Sequence, residues 1–121
     1  MSQHEINGVV LEIDMEDVDF LEKLENAFEK MEEEESTAQK IGKQSDIARA
    51  YCKMFYHLFD NVFGEGTGQK IFAGKNNLRI IDETYEKFIS ICAEQTQDSQ
   101  KRKEKIVAKF RPNRAQRRKK Q

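Results

Sequence analysis

Residues 47–63 set the terms for any fold this chain can adopt. Ile47, Ala48, Tyr51, Cys52, Met54, Phe55, Leu58, Phe59, Val62 and Phe63 follow one another at helical steps. Wound into a helix, they cover more than half of its circumference. A helix apolar over so wide an arc is buried between neighbours or forms an oligomer seam, because one contact face cannot shield it. The rest of the chain therefore has to bring other apolar surfaces against this one. Gly64 follows Phe63 in the usual C-terminal glycine position, and the pattern predicts a helix over residues 45–63.

Two further helices supply those surfaces. Val18, Leu21, Leu24 or Glu25, Phe28 and Met31 step by three and four, which predicts a helix over residues 15–35. Asp14, Glu16 and Asp17 sit in its first turn, where carboxylates complement the helix dipole. Glu32, Glu33, Glu34 and Glu35 sit at the disfavoured end, so fraying is expected there, with a linker or weak helical turn through Gly42. Leu78, Ile81, Tyr85, Phe88 and Cys92 repeat at heptad spacing beside Ile80, Ile89 and Ile91, with Asn76 or Asn77 as N-cap. This periodicity stops near Ala93, so the third helix is predicted over residues 77–93. Between the second and third helices, Gly64, Gly66 and Gly68 mark a loop, and residues 69–73 make a short helical turn closed by Gly74.

The chain opens on a different signal. Asn7-Gly8 is the strongest two-residue hairpin turn, since both central positions of a type I′ turn need positive φ. Val9, Leu11 and Ile13 then alternate onto one face, which gives a small β-hairpin over residues 1–14. A first strand so short must lean on the helices to persist. The expected architecture is mainly α: three main helices and the hairpin in a single domain over residues 1–100. Phe28, Phe55, Leu58, Phe59, Phe63, Ile81, Tyr85 and Phe88 are its expected core. Residues 101–121 form a basic helical extension and tail. Pro112 forbids helical continuation, and the segment after it holds no apolar residue larger than alanine, so disorder is expected there.

Charge is sorted along the chain. Residues 1–35 hold thirteen acidic residues and two lysines, residues 36–100 balance eight against eight, and residues 101–121 hold eleven basic residues against Glu104 alone. The formal net of −1 therefore hides blocks of −11 and +10 at the two ends. Such asymmetry points to interaction segments rather than to a catalytic site. The basic end, from Lys101, Arg102 and Lys103 through Arg114, Arg117, Arg118, Lys119 and Lys120, suits nucleic acid, an acidic protein surface or anionic lipid. Aromatic interleaving for base stacking is missing apart from Phe110. A solubilising tail is the plainer alternative.

Motifs for chemistry fail when examined residue by residue. The glycine loop 64–68 follows a helix and lacks Gly-Lys-Ser/Thr, so it is no Walker loop, and the third glycine of a dinucleotide fingerprint would fall on Gln69. The carboxylates of residues 12–35 form the polar face of an amphipathic helix, with nothing to desolvate them for acid-base work. They also lack the loop glycine and ligand spacing of an EF-hand. His4 and His57 are near no nucleophile motif. Cys52 and Cys92 have no C-x-x-C or Cys/His pairing and fall on apolar helical faces, where cysteine behaves as a small buried hydrophobe. No enzyme, cofactor or metal is expected. No apolar run approaches the ~18 residues a membrane span needs, and no signal-peptide core opens the chain, so a soluble, cytoplasmic protein with no membrane partner is expected.

Several of these features occur together in one known family. The hairpin opens with Ile6-Asn7-Gly8, an acidic helix follows, and an aromatic helix ends in Phe63-Gly64-Glu65-Gly66-Thr67. Lys70-Ile71-Phe72-Ala73-Gly74 and Tyr85-Glu86-Lys87-Phe88 come next, and the terminus reads Asn113-Arg114-Ala115-Gln116-Arg117-Arg118. In this order and in these segments the chain resembles the small tail assembly chaperones of long-tailed bacteriophages and prophages of Gram-positive bacteria. The resemblance implies a helical, non-enzymatic, oligomeric protein of the host cell cytoplasm that coats the tape measure protein, or another tail protein, until the tail tube polymerises around it. A helical client of that kind needs an apolar helix-binding face. Phe55, Phe59, Phe63, Phe72, Tyr85 and Phe88 are the candidate partner-binding residues, and the alternative is that these rings pack against one another as a core. A small nucleic-acid-binding protein using the basic tail is the other functional expectation.

Overall fold

In the computed structural model, which describes residues 2–38 and 42–110, Asn7 and Gly8 take φ values of 53° and 80°. These left-handed positions close a two-residue turn between β1 (Gln3–Ile6) and β2 (Val9–Glu12), which pair antiparallel with Ile6 opposite Val9 and Gln3 opposite Glu12. Alternation buries Ile6, Leu11 and Ile13. The turn does not stand alone. Asn7 Nδ2 donates to the Ile71 carbonyl at 3.1 Å and to Thr84 Oγ1 at 2.8 Å, tying the hairpin tip to two distant elements.

α1 spans Val18–Thr37, capped by the Asp17 carboxylate accepting from the Asp19 amide. It begins three residues later than the acidic pattern predicts, because Met15 and Glu16 are held outside it. The Met15 amide donates to Gln95 Oε1, and the Glu16 amide donates to Asp14 Oδ1. Its buried stripe is Phe20, Leu24 and Ala27, with Phe28 and Met31 half-buried. Val18, expected on that stripe, is 72% exposed. Past Glu32, where fraying is expected, the helix continues to Thr37. The Ser36 hydroxyl donates back to the Glu33 carbonyl, the Thr37 hydroxyl to those of Glu33 and Glu34, and Glu34 reaches across to His57.

α2 (Gln44–Phe63) is the central helix, with Cys52, Met54, Phe55, Leu58, Phe59 and Val62 buried. α3 (Thr67–Phe72) packs back on it so closely that a Cβ at Gly68 would stand 2.7 Å from the Tyr56 carbonyl oxygen. The Gly68 amide donates to Asp60 Oδ1 at 2.8 Å, which fixes the approach. α4 (Leu78–Phe110) starts from Asn77, whose side-chain oxygen accepts from the Arg79 and Ile80 amides.

α4 does not stop near Ala93 but continues unbroken to Phe110. Its body-facing stripe changes from apolar to polar and keeps its period. Ile81, Thr84, Phe88 and Cys92 are followed by Gln95, Ser99 and Arg102. Gln95 receives the Met15 amide and donates to the Ile13 carbonyl at 2.7 Å, and Arg102 Nη1 bonds Glu16 Oε1 at 2.8 Å.

The molecule is thus mainly α, with four helices and one two-stranded antiparallel sheet among the described residues. Phe59 sits at the centre of the core, its ring centroid 5.3 Å from Phe88, 5.5 Å from Phe72 and 6.1 Å from Phe63. Of the expected core, Phe28, Phe63 and Tyr85 are half-buried and the rest fully so. The disorder expected after Pro112 lies outside the described residues.

Candidate functional site

Placement of the six candidate partner-binding rings corrects the expectation attached to most of them. Phe55, Phe59, Phe72 and Phe88 are buried, at 5%, 0%, 1% and 0% exposure, and offer no surface in the folded chain. Phe63 stacks 6.1 Å from Phe59 and lies edge-on to Phe88 at 5.8 Å, while Tyr85 packs edge-on to Phe55 at 4.9 Å. These rings are brought together, but as the centre of the core. The physical reason is volume: α1, α3 and α4 all close on α2, and its widest side chains fill the space between them. Arg114, Arg117, Arg118, Lys119 and Lys120 lie outside the described residues.

Among the described residues, the other edge of the apolar arc of α2 faces a groove rather than a neighbouring helix. Ile47, Ala50, Tyr51 and Met54 line a groove of about 400 Å³ between the start of α2 and the end of α1, bordered by Glu34, Glu35, Lys53 and His57. Ile47 and Tyr51 also line a neighbouring hollow of about 310 Å³, shared with Ala48, Leu78 and Asp82. Tyr51 is the ridge between the two. Its ring is 39% exposed and its hydroxyl donates to Asp82 Oδ1 at 2.8 Å. Partial burial of the ring, then the Asp82 carboxylate, push its phenol up to about 12. At neutral pH it is a neutral donor that holds α2 to α4. Leu78, 45% exposed, extends the apolar strip.

Sequence reasoning left this strip out of the candidate residues. The signal was present in the breadth of the arc, since a helix apolar over more than half its circumference exceeds what a small core can enclose. Ile47, Tyr51 and Met54 are spaced by four and three, so they form one line along α2.

His57 at the groove and the two buried cysteines have structural roles. His57 Nδ1 lies 2.9 Å from Glu34 Oε1 and holds the end of α1 to α2. Burial pushes the Cys92 thiol up to about 11, and burial followed by the Asp82 charge raises that of Cys52. Neither sulfur is a thiolate near neutral pH, which disfavours nucleophilic chemistry at both. No group of three or more His, Cys, Asp or Glu among the described residues could hold a metal ion. No described helix is long and apolar enough to cross a membrane.

The second surface is electrostatic. Along α1, Asp19, Glu22, Glu25, Glu29, Glu32, Glu33 and Glu35 are exposed. At the far end of α4, Lys101, Lys103, Lys105 and Lys109 are exposed around Ile106 and Val107, which are 46% and 43% exposed. The two charge blocks touch where Arg102 meets Glu16. That contact holds the Glu16 carboxyl below the usual range and raises the Arg102 guanidinium.

No curated protein and no solved structure matches this chain. Residues 7–121 match a family of unknown function, DUF6673, and with so much of its length covered the chain belongs to that family.

Proposed function

We propose that the protein is a non-enzymatic assembly factor of the phage tail chaperone type, which binds and shields a helical client, the tape measure protein, before the tail forms around it. The reading rests on the apolar strip of Ile47, Tyr51 and Leu78, floored by the buried Met54, with its charged border. An amphipathic helix laid along α2 would place its apolar face on that line and its polar flanks against Glu34, Glu35, Lys53 and Asp82. The sequence resemblance supplies the client. Co-expression with the tape measure protein encoded in the same genome tests the reading. The client's soluble yield should rise and the two should co-purify, whereas Ile47→Glu combined with Leu78→Glu should abolish both effects while far-UV circular dichroism stays unchanged. A client equally insoluble with and without this protein would sink the proposal.

A second reading, nucleic-acid binding, is favoured by the cations at the end of α4. Affinity for DNA or RNA would then fall steeply with salt, by a logarithmic slope of about −0.9 per phosphate neutralised on duplex DNA.

A further inference from the structure

The face that α4 turns to the body does not end where the body ends. Along that face, Ile81, Phe88, Cys92 and Ser99 are buried, Gln95 clasps the β2–α1 junction, and Arg102 makes the last described side-chain bond to it. Ile106 lies seven residues beyond Ser99 and fourteen beyond Cys92, so it falls on the same side of the helix two and four turns further on. Val107 stands next to it. Residues 103–110 extend α4 by roughly 12 Å past this last contact, and every side chain described over 103–109 is exposed. The projecting arm therefore carries a core-type stripe with no described residue against it, set among Arg102, Lys103 and Lys109.

We propose that this arm docks on the outer face of α1 in a second copy of the chain. Charge excludes the simplest alternative, arm against arm, because residues 101–110 hold five cations and one carboxylate, and two such helices repel. The surface that complements the arm is on the chain itself. Val18, 72% exposed, heads an outward line continued by Glu22, Glu25 and Glu29 at helical steps of four, three and four. That line offers an aliphatic contact for Ile106 and Val107 and carboxylates for Lys103 and Lys109. The Arg102–Glu16 pair at 2.8 Å shows the same chemistry already formed where the two blocks meet within one chain. The arm and the α1 face are different patches, so the contact is head-to-tail and generates rings or open chains rather than a two-fold dimer.

Sedimentation velocity on the full chain in about 0.05 M salt tests this, using two charge-reversed variants. One carries Lys103→Glu and Lys109→Glu, and the other Glu22→Lys, Glu25→Lys and Glu29→Lys. All five side chains are exposed, so helix content should not change. The wild-type chain should form species larger than a dimer, and its association should weaken at least about tenfold in 0.5 M salt, where the Debye length shortens from roughly 14 to 4 Å. Each variant alone should remain monomeric, and an equal mixture of the two should associate again. Ile106→Asp, which leaves all cations in place, should also be monomeric. A monomeric wild-type chain, or a mixture of the variants that stays monomeric, overturns the proposal. So does a wild-type monomer whose arm binds a DNA duplex and loses it on lysine reversal, which would make nucleic acid the partner. The result is independent of the groove on α2, since Ile47→Glu with Leu78→Glu should leave self-association intact.

Discussion

Gly68→Ala isolates what seats α3 on α2. A Cβ at position 68 would stand 2.7 Å from the Tyr56 carbonyl oxygen, 2.9 Å from its Cα and 3.2 Å from its carbonyl carbon. Carbon atoms in ordinary contact are about 3.5–4.0 Å apart, so the two backbones would have to part by roughly 0.5–1 Å. The Tyr56 carbonyl is fixed inside α2 and cannot swing aside as a flexible side chain could. Overpacking of this kind costs about 1–3 kcal/mol. Alanine in place of glycine in a helix offsets about 1 kcal/mol of that through the backbone entropy of the unfolded chain. The obstacle is backbone, and parting the helices also strains the Gly68–Asp60 bond and lifts Ile71 and Phe72 from the core. The upper half of the overpacking range applies, leaving a net destabilisation of roughly 1–2 kcal/mol. Urea unfolding followed by circular dichroism should show a midpoint lower by roughly 0.5–1.5 M. Lys70→Ala, on the exposed side of the same helix, should stay within about 0.5 kcal/mol of wild type. A midpoint raised by Gly68→Ala would refute the reasoning, because helix propensity would then have outweighed the overlap.

Phe59→Ala removes the central ring of the core and should cost about 3–5 kcal/mol in the same assay; a loss below about 1 kcal/mol would contradict its placement. Asn7→Gly keeps a turn that accepts positive φ but removes the bonds to Ile71 and Thr84, for an expected cost of about 1–3 kcal/mol. Asn7→Ala should cost about 1 kcal/mol more, since it must also hold a left-handed backbone; equal losses would mean the backbone conformation contributes nothing. At pH 8 the Cys92 thiol, with its ionisation near 11, should react with a disulfide reagent at least about a hundredfold more slowly than in urea, because about one molecule in a thousand carries the thiolate. Raising pH toward 11 should speed that reaction, and a fast native reaction at pH 8 would overturn the burial argument.

The hairpin, the helical class and the starts of α2 and α4 were legible because each rests on short-range chemistry: Asn7-Gly8 in the turn, the Asn77 cap, the dense arc of residues 47–63. The length of α4 was not. Its inward stripe passes from Cys92 to Gln95, Ser99 and Arg102, and a polar residue facing inward looks the same in sequence as one facing water. Only the bonds to Met15, Ile13 and Glu16, eighty or more residues away, give those positions their meaning. The aromatic candidates failed as a surface for a related reason. Breadth of an apolar arc reveals that part of it stays outside, but which part depends on where α1, α3 and α4 land. The strip of Ile47, Tyr51 and Leu78 became visible only once those helices were in place.

The tethering of the hairpin tip has a consequence for how the protein comes into being. Asn7 finds its partners on Ile71 and Thr84, 64 and 77 residues further along the chain. During translation at about 5–20 residues per second, roughly 4–15 s pass between the making of Asn7 and of Thr84. Until then the hairpin lacks the α4 surface against which β1 packs, and a two-stranded hairpin alone is marginal in water. The helix made immediately afterwards, α1, exposes a run of carboxylates, a charge that favours dispersal of the nascent chain over that interval. The strand pair is thus written before the helices it leans on and locked only after them, a lag that ribosome-bound chains arrested with residue 84 first inside and then outside the exit tunnel would display as a gain of protease resistance at residues 2–13.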